Sequence, residues 1–479
     1  MNRRMTFYIT GKILRVGTAT MLLPMIVALI YGESPMPFIV SMAVGAALSG
    51  IMAAKNPENS DIGATDGFIV VALAWVLMSA VGALPFTVSG AVTNYIDAFF
   101  ETVSGFTTTG STILSEIESL PKGILFWRSF THWIGGMGVL VFVLAFVPLS
   151  DSRAMHLMRA EVPGPTVGKL VPKMRDTAKI LYGIYLAMTI LMIVLLMLGG
   201  LSLFDSSVTA FGTAGTGGYA VKNASIAGYD SPYVEWITTI FMLLFGVNFN
   251  LYFFALLRKK QLIAENEEVK WYFGIVFAAT ALIAVNILPM YDTVGHAVRD
   301  AAFQVASIIT TTGYGTTDFN LWPEFSRMLL VILMFIGASA GSTGGGIKVS
   351  RIVILFKTIL RNMKKLISPR IVAHVKMDRK TVDEEVVGSV ATYLVCYVII
   401  FVISVLAISL DGFTFEESFT AVTATLNNIG PGLGCVGSTG NFGGFSWWAK
   451  LLLSFDMLVG RLEIYPMLML IYPAAWRKK

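Results

Sequence analysis

Four polar stretches in this 479-residue chain repeat one arrangement of side chains. They read YIDAFFETVSGFTTTGSTIL (95–114), LFDSSVTAFGTAGTGGYAV (203–221), VRDAAFQVASIITTTGYG (298–315) and TFEESFTAVTATLNNIGPGLG (414–434). Each opens on an acid, Asp97, Asp205, Asp300 or Glu417, and reaches a glycine 12 or 13 positions later, Gly110, Gly217, Gly313 or Gly430. About three helical turns fit in that interval, too few to cross a bilayer, so a short helix that enters and turns back is expected. The acid sits in its first turn, favourable against the positive end of the helix dipole, and the opposite end aims partial negative charge inward. That polarity suits a cation. The glycine-rich strand that follows cannot continue the helix, and irregular backbone at membrane depth is tolerated only inside protein or beside water. Four such strands together would set rings of carbonyl oxygens in place of an ion's hydration shell. Glycine allows the dihedrals this needs, and threonine adds a stiff, branched side chain behind the strand. The candidate ion ligands are Thr108, Thr109 and Gly110; Gly215, Thr216 and Gly217; Thr311, Thr312 and Gly313; and Asn428, Ile429 and Gly430.

The elements that must hold these strands are membrane helices. The chain is 55% hydrophobic and only 14% charged, against about 25% charged in soluble domains. Apolar runs predict spans at 13–31, 36–54, 68–90, 124–148, 178–201, 233–257, 269–288, 324–360, 386–410 and 447–475. The first is too long for a secretory signal, lacks a small-residue cleavage pattern and is followed at once by a second span, so it is read as part of the mature chain. With both termini inside, 25 lysines and arginines fall on the cytoplasmic side and four, Lys122, Lys222, Arg299 and Arg327, outside. That asymmetry fixes the orientation. The +5 net charge is therefore topological, with some attraction to anionic membrane lipid, and nucleic acid is not an expected partner.

Other chemistry is sparse. The histidines, His132, His156, His296 and His374, lack metal-ligand spacing, and Cys396 and Cys435 lie too far apart in the topology to pair. Without paired acids or a histidine cluster at mid-membrane, an enzyme is not expected. The run GASAGSTGGG (337–346) interrupts the span 324–360. Its glycines, Gly337, Gly341, Gly344, Gly345 and Gly346, each cost a helix ~1 kcal/mol relative to alanine. The run is not a phosphate loop, because isoleucine separates its last glycine from Lys348. It reads either as a gate or as a close-packing face between helices. Lys348 and Arg351 follow at the inner end, where long side chains reach the interface. Arg461 lies about 21 Å into its span at 1.5 Å per residue, a costly place for a charge and so a functional candidate with a partner, or a side chain that reaches the headgroups. Arg128, near the outer end of its span, reads as a structural anchor or as the partner of a carboxylate.

These residues resemble the Trk/Ktr/HKT superfamily of potassium transporters, most closely its bacterial Trk-type membrane subunits, over essentially the full length. The resemblance implies an all-α polytopic membrane protein. Two extra N-terminal helices (1–60) precede four pseudo-fourfold helix–pore loop–helix units (61–150, 151–260, 261–365 with a broken inner helix, and 366–479) around a central ion pore. It implies potassium uptake across a bacterial or archaeal inner membrane, with potassium as substrate and no organic cofactor. It also implies a homodimer, a gate formed by the third unit's loop with Arg461 below the filter, and a cytosolic ring of nucleotide-binding regulatory subunits docked on the basic loops 149–178 and 357–385. This chain carries no nucleotide fingerprint of its own. One glycine per filter marks potassium selectivity in the family, and glycine stands at the first position here, whereas some sodium-preferring relatives have serine. A sodium or mixed-cation translocator is the alternative. The quarters are unequal, TTTG at 107–110 and 310–313 but AGTG at 214–217 and NNIG at 427–430, so weaker discrimination against rubidium and sodium is expected. Passive flux and symport both stay open.

Overall fold

The structure, a computed structural model, describes residues 2–55, 57, 63–138 and 174–477. The inner end of the span placed at 124–148, most of the basic loop 149–178, and Lys478 and Lys479 lie outside the described residues. Within them the regular elements are helices, apart from a two-stranded antiparallel hairpin, Lys376–Met377 against Lys380–Thr381, and one parallel bridge between Ile336 and Ile347. Among the described residues, five helical segments are long and apolar enough to cross a membrane, and a bent pair adds a sixth.

Each of the four units begins with one of those long helices, Ala64–Gly82 continuing towards Val88, Met174–Leu198, Glu267–Ile287 and Glu384–Ile408. The last three expose large apolar side chains along their length, among them Leu191, Phe277, Val285, Ile399 and Ile403. A helix wrapped in protein would bury these residues, whereas lipid accepts them without cost, so these three form the lipid-facing wall. The first long helix is mostly buried because the N-terminal segments, the span Arg3–Ile30 and the shorter apolar helix Met36–Met52, cover it.

Inside this wall each unit places a short helix and then a return helix. The short helices are Tyr95–Phe106, Leu203–Gly215, Val294–Ile309 and Phe415–Leu426. The side chains of Asn94, Ser202, Thr293 and Thr414 cap their N-termini by accepting a first-turn backbone N–H. Asp97, Asp205 and Glu417 occupy the first turn as expected, but Asp300 does not, because its helix begins one turn earlier. Asp300 instead accepts a 2.8 Å hydrogen bond from the Tyr291 hydroxyl.

The return helices are short and interrupted. Lys122–Gly136 ends in a turn. Pro232–Phe245 bends by 90° into Phe249–Leu256, so the span expected at 233–257 is not straight. Glu324–Phe335 and Val349–Ile367 flank the glycine-rich run. Trp447–Arg461 is separated from Tyr465–Ile471 by residues 462–464, where Glu463 and Ile464 take positive φ of 60° and 70°. The expected single span 447–475 is therefore two helices, and Arg461 is the last residue of the first.

Candidate functional site

All four short helices end in one backbone motif. The amide of Thr108, Thr216, Thr311 or Asn428 bonds the carbonyl three residues back, and the next amide bonds the carbonyl five back, at 2.8–3.2 Å throughout. These four residues are left-handed, with φ of 55°, 54°, 60° and 56°. A β-branched residue rarely adopts that conformation, so three threonines held in it mark an over-determined and strained turn. Two residues on comes a glycine with positive φ: Gly110 at 83°, Gly218 at 77°, Gly313 at 82° and Gly430 at 98°.

This motif corrects the register of the second quarter. Gly218, not Gly217, matches Gly110, Gly313 and Gly430, and the matching triplet is Thr216, Gly217 and Gly218. Gly215 is the last residue of its helix and sits against the backbone of His132 instead. The spacing then becomes uniform, 11 residues from acid to left-handed residue and 13 from acid to glycine in all four quarters. A demand for equal spacing would have found Gly218 in the sequence.

The four triplets close into a ring. A β-carbon placed on Gly110 would lie 2.0 Å from the Gly217 carbonyl oxygen, and one on Gly218 2.0 Å from that of Thr312. The same test on Gly313 meets the Ile429 oxygen at 2.1 Å, and on Gly430 the Thr109 oxygen at 2.9 Å. Each quarter thus presses a carbonyl against the glycine of its neighbour, second on first, third on second, fourth on third and first on fourth. Only glycine permits that approach. A cavity of about 110 Å³ opens on the ring, lined by all four glycines together with Ser111, Tyr219 and Asn441.

The ring is braced from behind. Thr107 and Thr109 share a 2.7 Å hydroxyl hydrogen bond, as do Thr310 and Thr312. The Asn428 amide donates to the Thr109 hydroxyl and to the Met457 carbonyl, both at 2.9 Å, tying the fourth quarter to the first. Arg128 has the carboxylate partner expected of it: its Nε donates to Glu101 at 2.7 Å, and Nη1 reaches the Ala220 carbonyl at 3.0 Å. The guanidinium also lies 3.5 Å from the centre of the Tyr219 ring, which joins the first two quarters in a buried, fully paired cluster.

Directly below the ring lies the run 336–348. The Gly345 amide donates to the Thr311 hydroxyl at 2.7 Å, and a β-carbon on Gly345 would meet the Asn427 carbonyl at 2.6 Å. Gly344 packs under Thr310, while Gly337 lies against Gly345 and Gly346 and donates to the Ile347 carbonyl at 2.8 Å. The run is pinned to the second unit's bend, Ser339 N–H to Gly246 O at 3.1 Å and Phe249 N–H to Gly341 O at 3.0 Å. Glu268, buried at the start of the third long helix, accepts from the amides of Ala340 at 2.8 Å and Ser350 at 3.0 Å.

Arg461 does not reach the headgroups. Its guanidinium donates to the Thr343 carbonyl at 2.7 Å and to the carbonyls of Gly135 and Gly136 at 2.5 and 2.6 Å. It therefore caps the first unit's return helix and clamps the run in the third, all from the fourth. Lys348 and Arg351 depart from expectation as well, since both are buried. Lys348 turns its ammonium to the Gly344 and Gly345 carbonyls, the latter at 3.0 Å. Arg351 pairs with Glu463 through both nitrogens and lies over the Tyr393 ring. These long-range pairs carried no local signal in the sequence.

A lipid-facing wall around four re-entrant helices, their C-terminal ends converging on one ring of backbone oxygens, defines a polytopic membrane transport protein. The family model described as "TrkH: Cation transport protein" matches residues 36–477, and the chain belongs to that family. It is 37% identical over 488 residues to the Trk system potassium uptake protein TrkH of Escherichia coli K12, covering 100% of both chains. It is 33% identical to the Trk system potassium uptake protein TrkG of the same organism, over 99% of each. The crystal structure of the potassium transporter TrkH from Vibrio parahaemolyticus superposes with a TM-score of 0.89 at 34% identity, covering 100% of both chains.

Proposed function

We propose that this chain conducts potassium across the cytoplasmic membrane through the ring, with residues 108–110, 216–218, 311–313 and 428–430 as the selectivity filter. The observation that carries the reading is the head-to-tail closure of four glycines on four carbonyls. A bare cation exchanges its hydration shell for such oxygens, and the strained turn holds them at a fixed spacing. The names of the full-length relatives support potassium as the ion.

The run 336–348 serves as the gate, held shut by Arg461. It lies under the filter strands and is fastened by hydrogen bonds rather than by a continuous helix, so it can shift between two bonded arrangements. The relatives belong to a named system, which supports control by further components; a cytosolic nucleotide-binding ring docked on the basic inner loops, and a homodimer, fit that reading.

Flux in liposomes containing the purified chain tests the proposal. Potassium uptake that exceeds sodium uptake is the expected result. Equal rates would favour the mixed-cation alternative, and no cation flux in either the wild type or an Arg461→Ala variant would overturn the reading.

A further inference from the structure

The second quarter of the ring lacks the side chains that brace the other three. At the position after the left-handed residue stand Thr109, Thr312 and Ile429, all β-branched and buried, but Gly217 in the second quarter. At the position before it stand Thr107, Thr310 and Asn427, but Gly215. Two empty places behind one strand would leave a void beside the ring, and protein interiors do not keep such voids without loss of stability and order.

One residue of the neighbouring unit occupies both places. A β-carbon on Gly217 would lie 2.3 Å from Cγ and from Nδ1 of His132. A β-carbon on Gly215 would lie 2.3 Å from the His132 carbonyl oxygen and 3.1 Å from its Cβ. The imidazole is fully buried and packs on the Tyr219 ring at 4.1 Å between centres. Its Nδ1, as the protonated nitrogen, donates to the Gly105 carbonyl at 2.8 Å, within the first unit's short helix. Its Nε2 has no hydrogen-bond partner among the described residues. The ring therefore contributes shape and one tether.

We infer that His132 is a positioning residue for ion selection, standing in from the first unit for the side chains that the second filter strand lacks. The inference rests on the reading of the ring as the ion path. A strand braced from outside holds its carbonyls at the spacing set by the other three quarters. Without the brace it yields, and a yielding ring accommodates the smaller sodium ion.

Gly217 gives the inference a reciprocal test. Its φ lies outside the left-handed range, so its backbone accepts a side chain, and the atoms nearest to an added β-carbon are those of the His132 ring. In liposome flux, His132→Gly is expected to lower the potassium-to-sodium ratio by ~10-fold, the change that corresponds to ~1.4 kcal/mol of lost discrimination. Gly217→Thr alone is expected to be as damaging, because the new side chain collides with the imidazole. The double variant, His132→Gly with Gly217→Thr, restores a brace from within the strand and is expected to return the ratio to within ~3-fold of wild type, a residue of under ~1 kcal/mol. A His132→Gly protein as selective as wild type would overturn the inference, as would a selective Gly217→Thr single variant or a double variant no better than either parent. If His132→Gly is not recovered folded, His132→Asn decides: its amide nitrogen stands where Nδ1 does and keeps the tether but fills less space, so a ratio lowered at an unchanged thermal midpoint supports the role, and an unchanged ratio refutes it. A wild-type protein without potassium preference would defeat the filter reading itself, an outcome separate from all of these.

Discussion

The ring and the layer beneath it are built on opposite plans from the same four units. In the ring, TTTG, GTGG, TTTG and NNIG converge on one backbone: the same two hydrogen bonds, the same left-handed residue, the same glycine two positions on. Beneath it the four units do four different things. Within the described residues the first breaks its return helix after Gly136, the second bends by 90°, the third inserts the run 336–348, and the fourth breaks after Arg461. Equivalence of backbone with freedom of side chain is what a set of carbonyl ligands requires, because the ligand atom is common to every residue. Inequivalence below suits the proposed gate, because a segment that moves needs fixed partners on its other sides.

Damage to the ring should therefore have the largest effect and should scale with the geometry. Gly313→Ser sets a β-carbon 2.1 Å from the Ile429 oxygen and 2.8 Å from Pro431 Cδ, at a φ of 82°. We expect the potassium-to-sodium flux ratio to fall on the order of 100-fold, ~2.8 kcal/mol of discrimination. Gly110→Ser should match it, whereas Gly430→Ser, with its nearest contact at 2.9 Å, should be the mildest of the four. A reversed order of severity would mean the ring is not the selecting element.

Damage to the lower layer should change how much flows and not what flows. Arg461→Ala removes charge-assisted bonds to three carbonyls on two units, each worth ~1.5–3 kcal/mol. We expect unstimulated flux to rise ~10-fold, equivalent to ~1.4 kcal/mol of lost closure, with the ion preference kept. Arg461→Lys should resemble alanine, since a compact ammonium cannot reach two helix-end carbonyls and Thr343 together as the planar fork does. Glu268→Gln is subtler. The amide keeps an acceptor for Ala340 and Ser350 but loses the charge, so a rise of only ~3-fold is expected, consistent with ~1 kcal/mol between charged and neutral acceptors. A change in ion preference in any of these variants would merge the two layers into one.

How legible each plan was in the sequence follows from the same contrast. The ring depends on local spacing, so four acid-to-glycine repeats between apolar spans located it without a structure. The one error of register came at Thr216–Gly217–Gly218, where two adjacent glycines gave no local reason to prefer the second. The deciding facts there were the 11-residue spacing and the carbonyl of Thr312. The lower layer depends on partners remote in sequence. Arg461 could be recognised as misplaced in an apolar span, but nothing near it named Gly135, Gly136 and Thr343. Lys348 and Arg351 were expected at the interface because their stems are long and the helix end is near. Glu463 and the carbonyls of the run keep them inside. His132 lacks metal-ligand spacing, and its packing against Gly215 and Gly217 is visible only in the structure.

The smallest expected effect lies at the outer rim, where the comparison can be sharpened by a residue that belongs to neither layer. Arg327 forks between Glu324 on its own helix, at 2.5 Å, and Glu416 at the start of the fourth short helix. The bridge joins the third and fourth units, as Arg461 does below, but both of its carboxylates are well exposed, Glu324 at 84% and Glu416 at 46%. Exposed pairs of this kind contribute ~0–1 kcal/mol, and salt screens them. Arg327→Ala should therefore lower the thermal midpoint by no more than ~2 °C at low ionic strength, and the difference should vanish in 0.5–1 M salt, where screening acts within about 3–5 Å. Neither the potassium-to-sodium ratio nor the unstimulated flux should move. If selectivity did shift, the ring would depend on the outer contacts between units, and the backbone motif with its four carbonyl contacts would not be enough to hold it. If basal flux rose instead, opening would involve separation of the third and fourth units along their whole length rather than release of the run 336–348 alone.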